Sequence, residues 1–295
     1  MNSRQSQLIQ WIESACLMEV LSPKPGNVSP GKEFAASSVL DFINSARASA
    51  PELARAETQS LGETVLKAVQ ATRAVVNHNT NLGIILLTAP LAAVPERKSL
   101  TDGIVNVLNT ATVADSRLVY QAIRLAHPGG LGDADEQDLQ GEPTVNLQEC
   151  MRLAAHRDLI ARQYATGFDD VLRKGVNWLM EAADHAETQP LQIAWLSLRL
   201  MAEFGDSLIG RKCGQEMSDI VRRKALEVLD SSWPIAHDSA CSFAEFDAFL
   251  REDGNRRNPG TTADMVTAIL FAALRDGRWA PDEKVSWAWD LKSHL

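Results

Sequence analysis

Apolar residues recur at the spacing of one helix face almost throughout this chain, and the strict alternation that marks a strand is scarce. Leu8, Ile12, Cys16 and Val20 fall every fourth position, with Ile9 and Trp11 broadening the stripe, which predicts a first helix ending before Pro23. Leu61, Val65, Val69 and Val76 predict a second helix, and Leu147, Met151, Ala154 or Ala155, and Leu159 a third. Further helices are expected over about 168–186, 191–204, 215–230, 243–251 and 261–276, each bounded by Gly, Pro or Asn. The run Ile84-Ile85-Leu86-Leu87 has the composition of a buried strand. No neighbouring segment offers it a partner, so a buried helix is expected there. The pattern as a whole predicts an all-α fold.

With 45% hydrophobic and 23% charged residues, the 295-residue chain has globular composition. At that length it buries about three-quarters of its unfolded surface and needs no disulfide or metal staple. No fixed-period repeat or low-complexity linker interrupts it, so residues 1–295 are expected to form a single helical domain. Lys and Arg total 29 against 38 Asp and Glu, a net charge of −9, which argues against a nucleic-acid or anionic-membrane partner. Cys16, Cys150, Cys213 and Cys241 lie far apart, so neither a zinc site nor a disulfide framework is signalled. The first residues lack a long apolar run, and Leu82–Val94 is broken by Gly83, Thr88 and Pro90. A soluble, cytoplasmic protein is therefore expected. The acidic stretch Asp133–Pro143 is expected to be a solvated loop, with a lid as the minority reading.

Five polar segments punctuate the helices. Lys24-Pro25-Gly26-Asn27-Val28-Ser29-Pro30-Gly31-Lys32-Glu33 nearly spells a P-loop, but Glu33 stands where Ser or Thr should hold Mg²⁺ and a helix precedes it. Pro30 also removes a backbone donor that a phosphate cradle would use. What survives is a rigid loop with two lysines. Asn77-His78-Asn79-Thr80-Asn81-Leu82-Gly83 carries more amide and imidazole groups than one helix cap needs, so a sugar or phosphate site competes with plain capping. His127-Pro128-Gly129-Gly130-Leu131-Gly132 ends a helix, and its glycines suggest a left-handed cap and a close backbone approach, with a tight turn as the default and a ligand contact as the alternative. Asp206 to Gly214 sets a carboxylate five residues before Arg211-Lys212, either a solvated charged turn or a phosphate pair. Asn258-Pro259-Gly260-Thr261-Thr262-Ala263-Asp264 opens an apolar helix, and Thr261-x-x-Asp264 has capping-box spacing. A helix start also binds anions. Loops rich in Gly, Asn and basic residues, with Asp41, Asp115, Asp158, Asp206 and Asp264 at helix edges, suit a polyphosphate site where carboxylates hold Mg²⁺.

In this order the motifs resemble the triphosphoribosyl-dephospho-CoA synthase family. Pro23-Lys24-Pro25-Gly26-Asn27-Val28, preceded by Glu19, is similar to its N-terminal loop, and Asn79 to Gly83 falls where it carries an Asn-Thr-His-Lys-Gly-like segment. Asp206 to Gly214 and Asn258 to Asp264 resemble its two later elements. The resemblance implies an all-helical fold and a reaction: ATP and 3′-dephospho-CoA give triphosphoribosyl-dephospho-CoA and adenine, a prosthetic-group precursor. It also implies Mg²⁺ with ATP as co-substrate and small molecules as partners, with a homodimer as the one protein assembly entertained. Asn81-Leu82 replaces the family's His-Lys pair, and Arg157 to Phe168 resembles a divergent, archaeal-like branch. A related acceptor in a methanopterin-type pathway, or a non-catalytic Mg-ATP-binding or partner-binding protein, are the alternatives. On this reading Asp206 and Asp264 are the catalytic or metal-binding carboxylates, with Glu19 and Asp41 in reserve. Lys24, Arg211 and Lys212 take phosphate, and Gly26, Asn27, Asn79, Asn81, Asn258, Gly260 and Thr261 complete the nucleotide site.

Overall fold

The computed structural model describes residues 3–129, 137–236, 239–283 and 287. Its helices are α1 (Ser3–Leu21), α2 (Val39–Leu53), α3 (Leu61–Val75), α4 (Leu82–Ala92), α5 (Leu100–Asn109), α6 (Val113–Ala126) and α7 (Leu147–Ala154). The second half adds α8 (Leu159–Thr166), α9 (Val176–Glu181), α10 (Gln189–Phe204), α11 (Ser207–Cys213), α12 (Gln215–Asp230), α13 (Ser239–Asn255) and α14 (Gly260–Arg275). A π-helical turn, Asp170–Gly175, leads into α9, and a 3₁₀ turn, Ala182–Asp184, follows it. Among the described residues there is no strand, only an isolated bridge between Phe34 and Ser37. The fold is all-α, as the periodicity predicts. No helix of the described residues is long and apolar enough to cross a membrane.

Two helices sit at the centre because they have no polar face. Every residue of α4 is buried, and so is every residue of α14 from Met265 to Arg275. A helix apolar all round is stable only when others surround it. Accordingly α4 packs on α14 and also meets α3, while α14 packs on α1 and α10. One apolar cluster gathers residues from Leu8 to Leu274.

Several local expectations are corrected. The stripe from Leu147 to Leu159 is two helices: α7 stops at Ala154, and Asp158 caps a new start, its Oδ1 accepting from the Ile160 and Ala161 amides at 2.8 and 3.0 Å. Apolar spacing survived across a turn that the Asp cap creates. The 206–214 segment is not a charged turn but mostly the short helix α11. The residue that takes the left-handed cap of α6 is His127 (φ 47°), and Gly130 to Gly132 lie outside the described residues. So do Asp133, Asp135 and Glu136 of the acidic stretch. α13 leaves helical geometry at Glu252, which agrees with an end near 251, but it begins earlier than expected.

Two buried polar contacts lock these helices. Pro90 lies inside α4 and has no N–H for the Leu86 carbonyl one turn back. The hydroxyl of Tyr164, itself wholly buried on α8, donates to that carbonyl at 2.6 Å. Asp115 closes its own α6 capping box, accepting from the Thr112 amide (2.8 Å) and hydroxyl (2.7 Å), and also accepts from the Gly62 amide of α3 at 2.8 Å. Burial pulls the Asp115 carboxyl up, but the Gly62 and Thr112 donors and the Ser60 hydroxyl outweigh it and hold the group below the usual range.

Tyr164→Phe leaves a buried carbonyl unpaired and is expected to cost about 1–3 kcal/mol in urea unfolding, with the helical far-UV signal intact. Asp115→Asn, which presents a donor toward donors, is expected to cost a similar about 1–3 kcal/mol at neutral pH. Because the folded carboxyl titrates below the unfolded one, Asp115 contributes fully above about pH 4. The gap between wild type and variant, measured by thermal unfolding, is expected to close as the pH falls below that.

Candidate active site

The N-terminal turns of α4, α8, α11 and α14 open on one cavity of about 850 Å³. Asp206, fully buried at the start of α11, joins two of these turns, those of α11 and α14. Its Oδ1 accepts from the Leu208 and Ile209 amides at 2.9 and 3.1 Å, capping its own helix. Its Oδ2 accepts from the Thr262 amide and hydroxyl, both at 2.8 Å, capping α14 as well. Ser207 adds α8: its hydroxyl accepts from the Leu159 amide at 3.2 Å and lies 3.1 Å from the Thr261 hydroxyl. The capping box expected from Thr261 to Asp264 is therefore absent. α14 makes no side-chain cap of its own, because a carboxylate from elsewhere in the chain does that work.

Freed from capping, Asp264 faces the cavity. Among the described residues its carboxylate makes no hydrogen bond or ion pair. It keeps an edge on the cavity while protein surrounds its other sides. That burial, then repulsion from Asp206, Glu19 and Asp158, pushes its carboxyl well above the usual range, against the pull of Arg211. Gly83 in the first turn of α4 lies against it so closely that a methyl group there would overlap the carboxylate. Asp206 is also pushed up by burial, against the Thr262 amide and hydroxyl, the Ile209 amide and Arg211.

Glu19 is the second carboxylate on the cavity. Its Oε1 lies 3.0 Å from Nζ of Lys24, whose side chain is wholly buried. That ammonium also donates to the Glu19 and Ser22 carbonyls. Burial raises Glu19 and lowers Lys24, and their mutual attraction opposes both shifts. Asp158, the third, pairs with Arg211. Lys212 reaches Asn258 Oδ1 at 3.2 Å, and burial lowers its ammonium.

Of the residues singled out in the sequence, Glu19, Asn27, Asn79, Asn81, Arg211 and Lys212 line the cavity. Asn258, Gly260, Thr261 and Asp264 do too. Asp206, Asp41, Lys24 and Gly26 do not. Asp206 has both oxygens filled by helix donors, Asp41 closes the α2 capping box with Ser38, and Lys24 is spent on Glu19. Asn81 turns inward, donating to Ser49 Oγ at 3.2 Å and tying α4 to α2. Asn79 caps the start of α4 through the Leu82 amide at 3.1 Å. No motif pointed to the apolar lining from Phe34, Phe42, Ile123 and Met151, nor to Asp247 and Arg251 of α13, which hold the Gly26 loop. Only the ordinary i,i+4 spacing of that pair hinted at it.

Fold and cavity together define an all-helical protein with one large cavity onto which four helix starts open. The chain belongs to the CitG family, ATP:dephospho-CoA triphosphoribosyl transferase, whose family model matches residues 5–282. It is a transferase of that family. It is also similar to a crystal structure of an Archaeoglobus fulgidus protein provisionally named triphosphoribosyl-dephospho-CoA synthase. That match has 27% identity and a TM-score of 0.64, and covers 80% of this chain and 97% of the other. No curated protein sequence matches the chain.

Gly83→Ala tests the approach of α4 to Asp264. Alanine favours a helix by about 1 kcal/mol over glycine, so the fold is expected to hold. Displacing the carboxylate by about 1 Å is expected to cut turnover about 100-fold, read as initial rate alongside an unchanged helical far-UV signal.

Proposed function

We propose that the cavity binds ATP with its triphosphate against the starts of α4, α8 and α14, and passes the triphosphoribosyl group to a hydroxyl of 3′-dephospho-CoA or a related acceptor. The observation that carries this is Asp264, an unbonded, cavity-facing carboxylate set where helix N-termini converge. Helix starts attract anions through their dipoles, and Lys212 and Arg211 add positive charge. A volume of about 850 Å³ matches a nucleotide and part of a second substrate. The apolar stretch at Phe34, Phe42 and Met151 suits a base or an acceptor arm.

In the transfer, the bond from the ribose anomeric carbon to adenine breaks and the acceptor oxygen bonds to that carbon. Positive charge develops on the ribose, by analogy with glycoside transfer. Asp264 and Glu19 offer carboxylates to stabilise that charge; Glu19, oriented by Lys24, takes the proton of the attacking hydroxyl, and that proton passes on to the departing base nitrogen, so that neutral adenine leaves. Among the described residues no three His, Cys, Asp or Glu side chains gather as a metal cage. Mg²⁺ is held by one or two carboxylates plus substrate phosphates, and Asp264 offers one such carboxylate on the cavity. Asp264 would hold it, since the oxygens of Asp206 are filled. Bound there with the triphosphate, Mg²⁺ would neutralise phosphate charge and fix its position. Asp206 acts as the joint beneath the site.

Chromatography of Mg-ATP incubated with the protein, with and without 3′-dephospho-CoA, is expected to show free adenine only with the acceptor. ATP bound but never cleaved, whatever hydroxyl acceptor is offered, would overturn the transferase reading. Asp264→Asn is expected to lower adenine release about 10²–10⁴-fold with the thermal midpoint preserved, and near-normal release would remove Asp264 from the chemistry.

A further inference from the structure

The loop between α1 and α2 supplies Asn27, Val28 and Phe34 to the cavity wall, yet its position is set from outside the cavity. Asp247 on α13 is 5% exposed. Its Oδ1 accepts from the Gly26 amide at 2.7 Å and from Arg251 Nε at 2.9 Å, and its Oδ2 from Lys32 Nζ at 2.6 Å. Arg251 reaches further, donating to the Asn27 carbonyl at 2.6 Å and the Lys32 carbonyl at 3.3 Å, with its guanidinium over the Phe34 ring. Both ends of the loop are therefore gripped by one carboxylate–guanidinium pair. Asn27 Nδ2 in turn donates to the Pro259 carbonyl at 3.3 Å, where α14 begins.

Gly26 shows how little slack the joint has. It sits at φ +72°, and a Cβ there would come 2.7 Å from Leu250 Cβ and 2.9 Å from Pro259 Cδ. α13 and the first turn of α14 thus close on the loop from two sides. Burial alone would raise the Asp247 carboxyl, but Lys32, the Gly26 amide and Arg251 outweigh it and hold the group ionised. An ionised carboxylate gives the Arg251 guanidinium a fixed anchor, and a guanidinium offers donors in a rigid plane where an ammonium offers a point charge.

We propose that Asp247 and Arg251 are positioning residues for the transfer reaction, holding Asn27 and Phe34 on the cavity and setting the loop in register with the start of α14, five residues before Asp264. The inference rests on the cavity being the ATP site. Neither residue lines the cavity, so the pair acts through the loop.

Arg251→Lys keeps a cation beside Asp247 and removes the planar donors to the Asn27 and Lys32 carbonyls. Steady-state adenine release is measured for wild type, Arg251→Lys and Asp115→Asn, together with thermal midpoints and the Mg-ATP dissociation constant by calorimetry. Arg251→Lys is expected to raise KM and Kd for ATP about tenfold with kcat held within about twofold. Asp115→Asn, at a carboxylate outside the cavity lining, is expected to lower the midpoint and leave KM unchanged, which separates positioning from stability. Wild-type KM and Kd in Arg251→Lys would overturn the proposal, as would equal KM shifts in both variants. Lys32→Met, at a half-exposed side chain, provides a second variant should Arg251→Lys not fold, with about a threefold rise in KM expected and no rise overturning the proposal. If wild type releases no adenine, the transferase reading fails separately, and the calorimetric comparison alone decides the role of the pair.

Discussion

The buried carboxylate of Asp206 is the interaction on which the rest of this structure depends. Its two oxygens satisfy donors at the starts of α11 and α14, and Ser218 on α12 holds its backbone from the other side through its amide at 3.0 Å and its carbonyl at 3.1 Å. Three helix starts, those of α11, α12 and α14, meet at a residue with no exposure. A buried carboxylate left without such donors costs several kcal/mol, so the donors and the acceptor stand or fall together. Because α14 also runs through the centre of the core, one contact sets the register of the hydrophobic packing and the placement of Asp264.

That arrangement concentrates like charge. Asp206, Asp264, Asp158 and Glu19 lie close enough to repel one another, while Arg211 and Lys24 offset only part of it. Folding pays for this elsewhere, through the apolar burial of α4 and α14 and the capped helix ends. Perturbed carboxyls held against their preference mark functional sites more often than structural ones. A cation held in the cavity would relieve that repulsion.

Much of the fold was legible because helix periodicity is a local signal. The stripes of α1, α3, α10, α12 and α14 sit within a residue or two of where the spacing puts them, and the apolar run at Ile84 is the buried helix that its lack of a partner implied. α2 escaped because Ser, Asn and Ala dilute its stripe, and α5 because it is only ten residues long and carries Gly103 on its buried face. The site was legible as a set of motifs but not as roles. Nothing local distinguishes Asp206, which caps a helix 56 residues away, from Asp264, which faces the cavity. The order of Glu19, Lys24, Asn79, Arg211 and Asn258 carried the family, whereas the Asp247–Arg251 grip on the loop depends on side-chain directions that spacing does not reveal.

Pro90 and Tyr164 illustrate how such a contact shapes the paths open to a sequence. The proline turns the Leu86 carbonyl out of the α4 ladder, and the tyrosine hydroxyl fills the vacancy. A residue with an amide at position 90 restores the ladder bond, and a carbonyl has a second lone pair for the hydroxyl, so that exchange stands alone. Loss of the hydroxyl while proline remains strands the carbonyl. Substitutions at these two positions are therefore ordered in time: position 90 is free to change first, and only afterwards does position 164 become an ordinary core site.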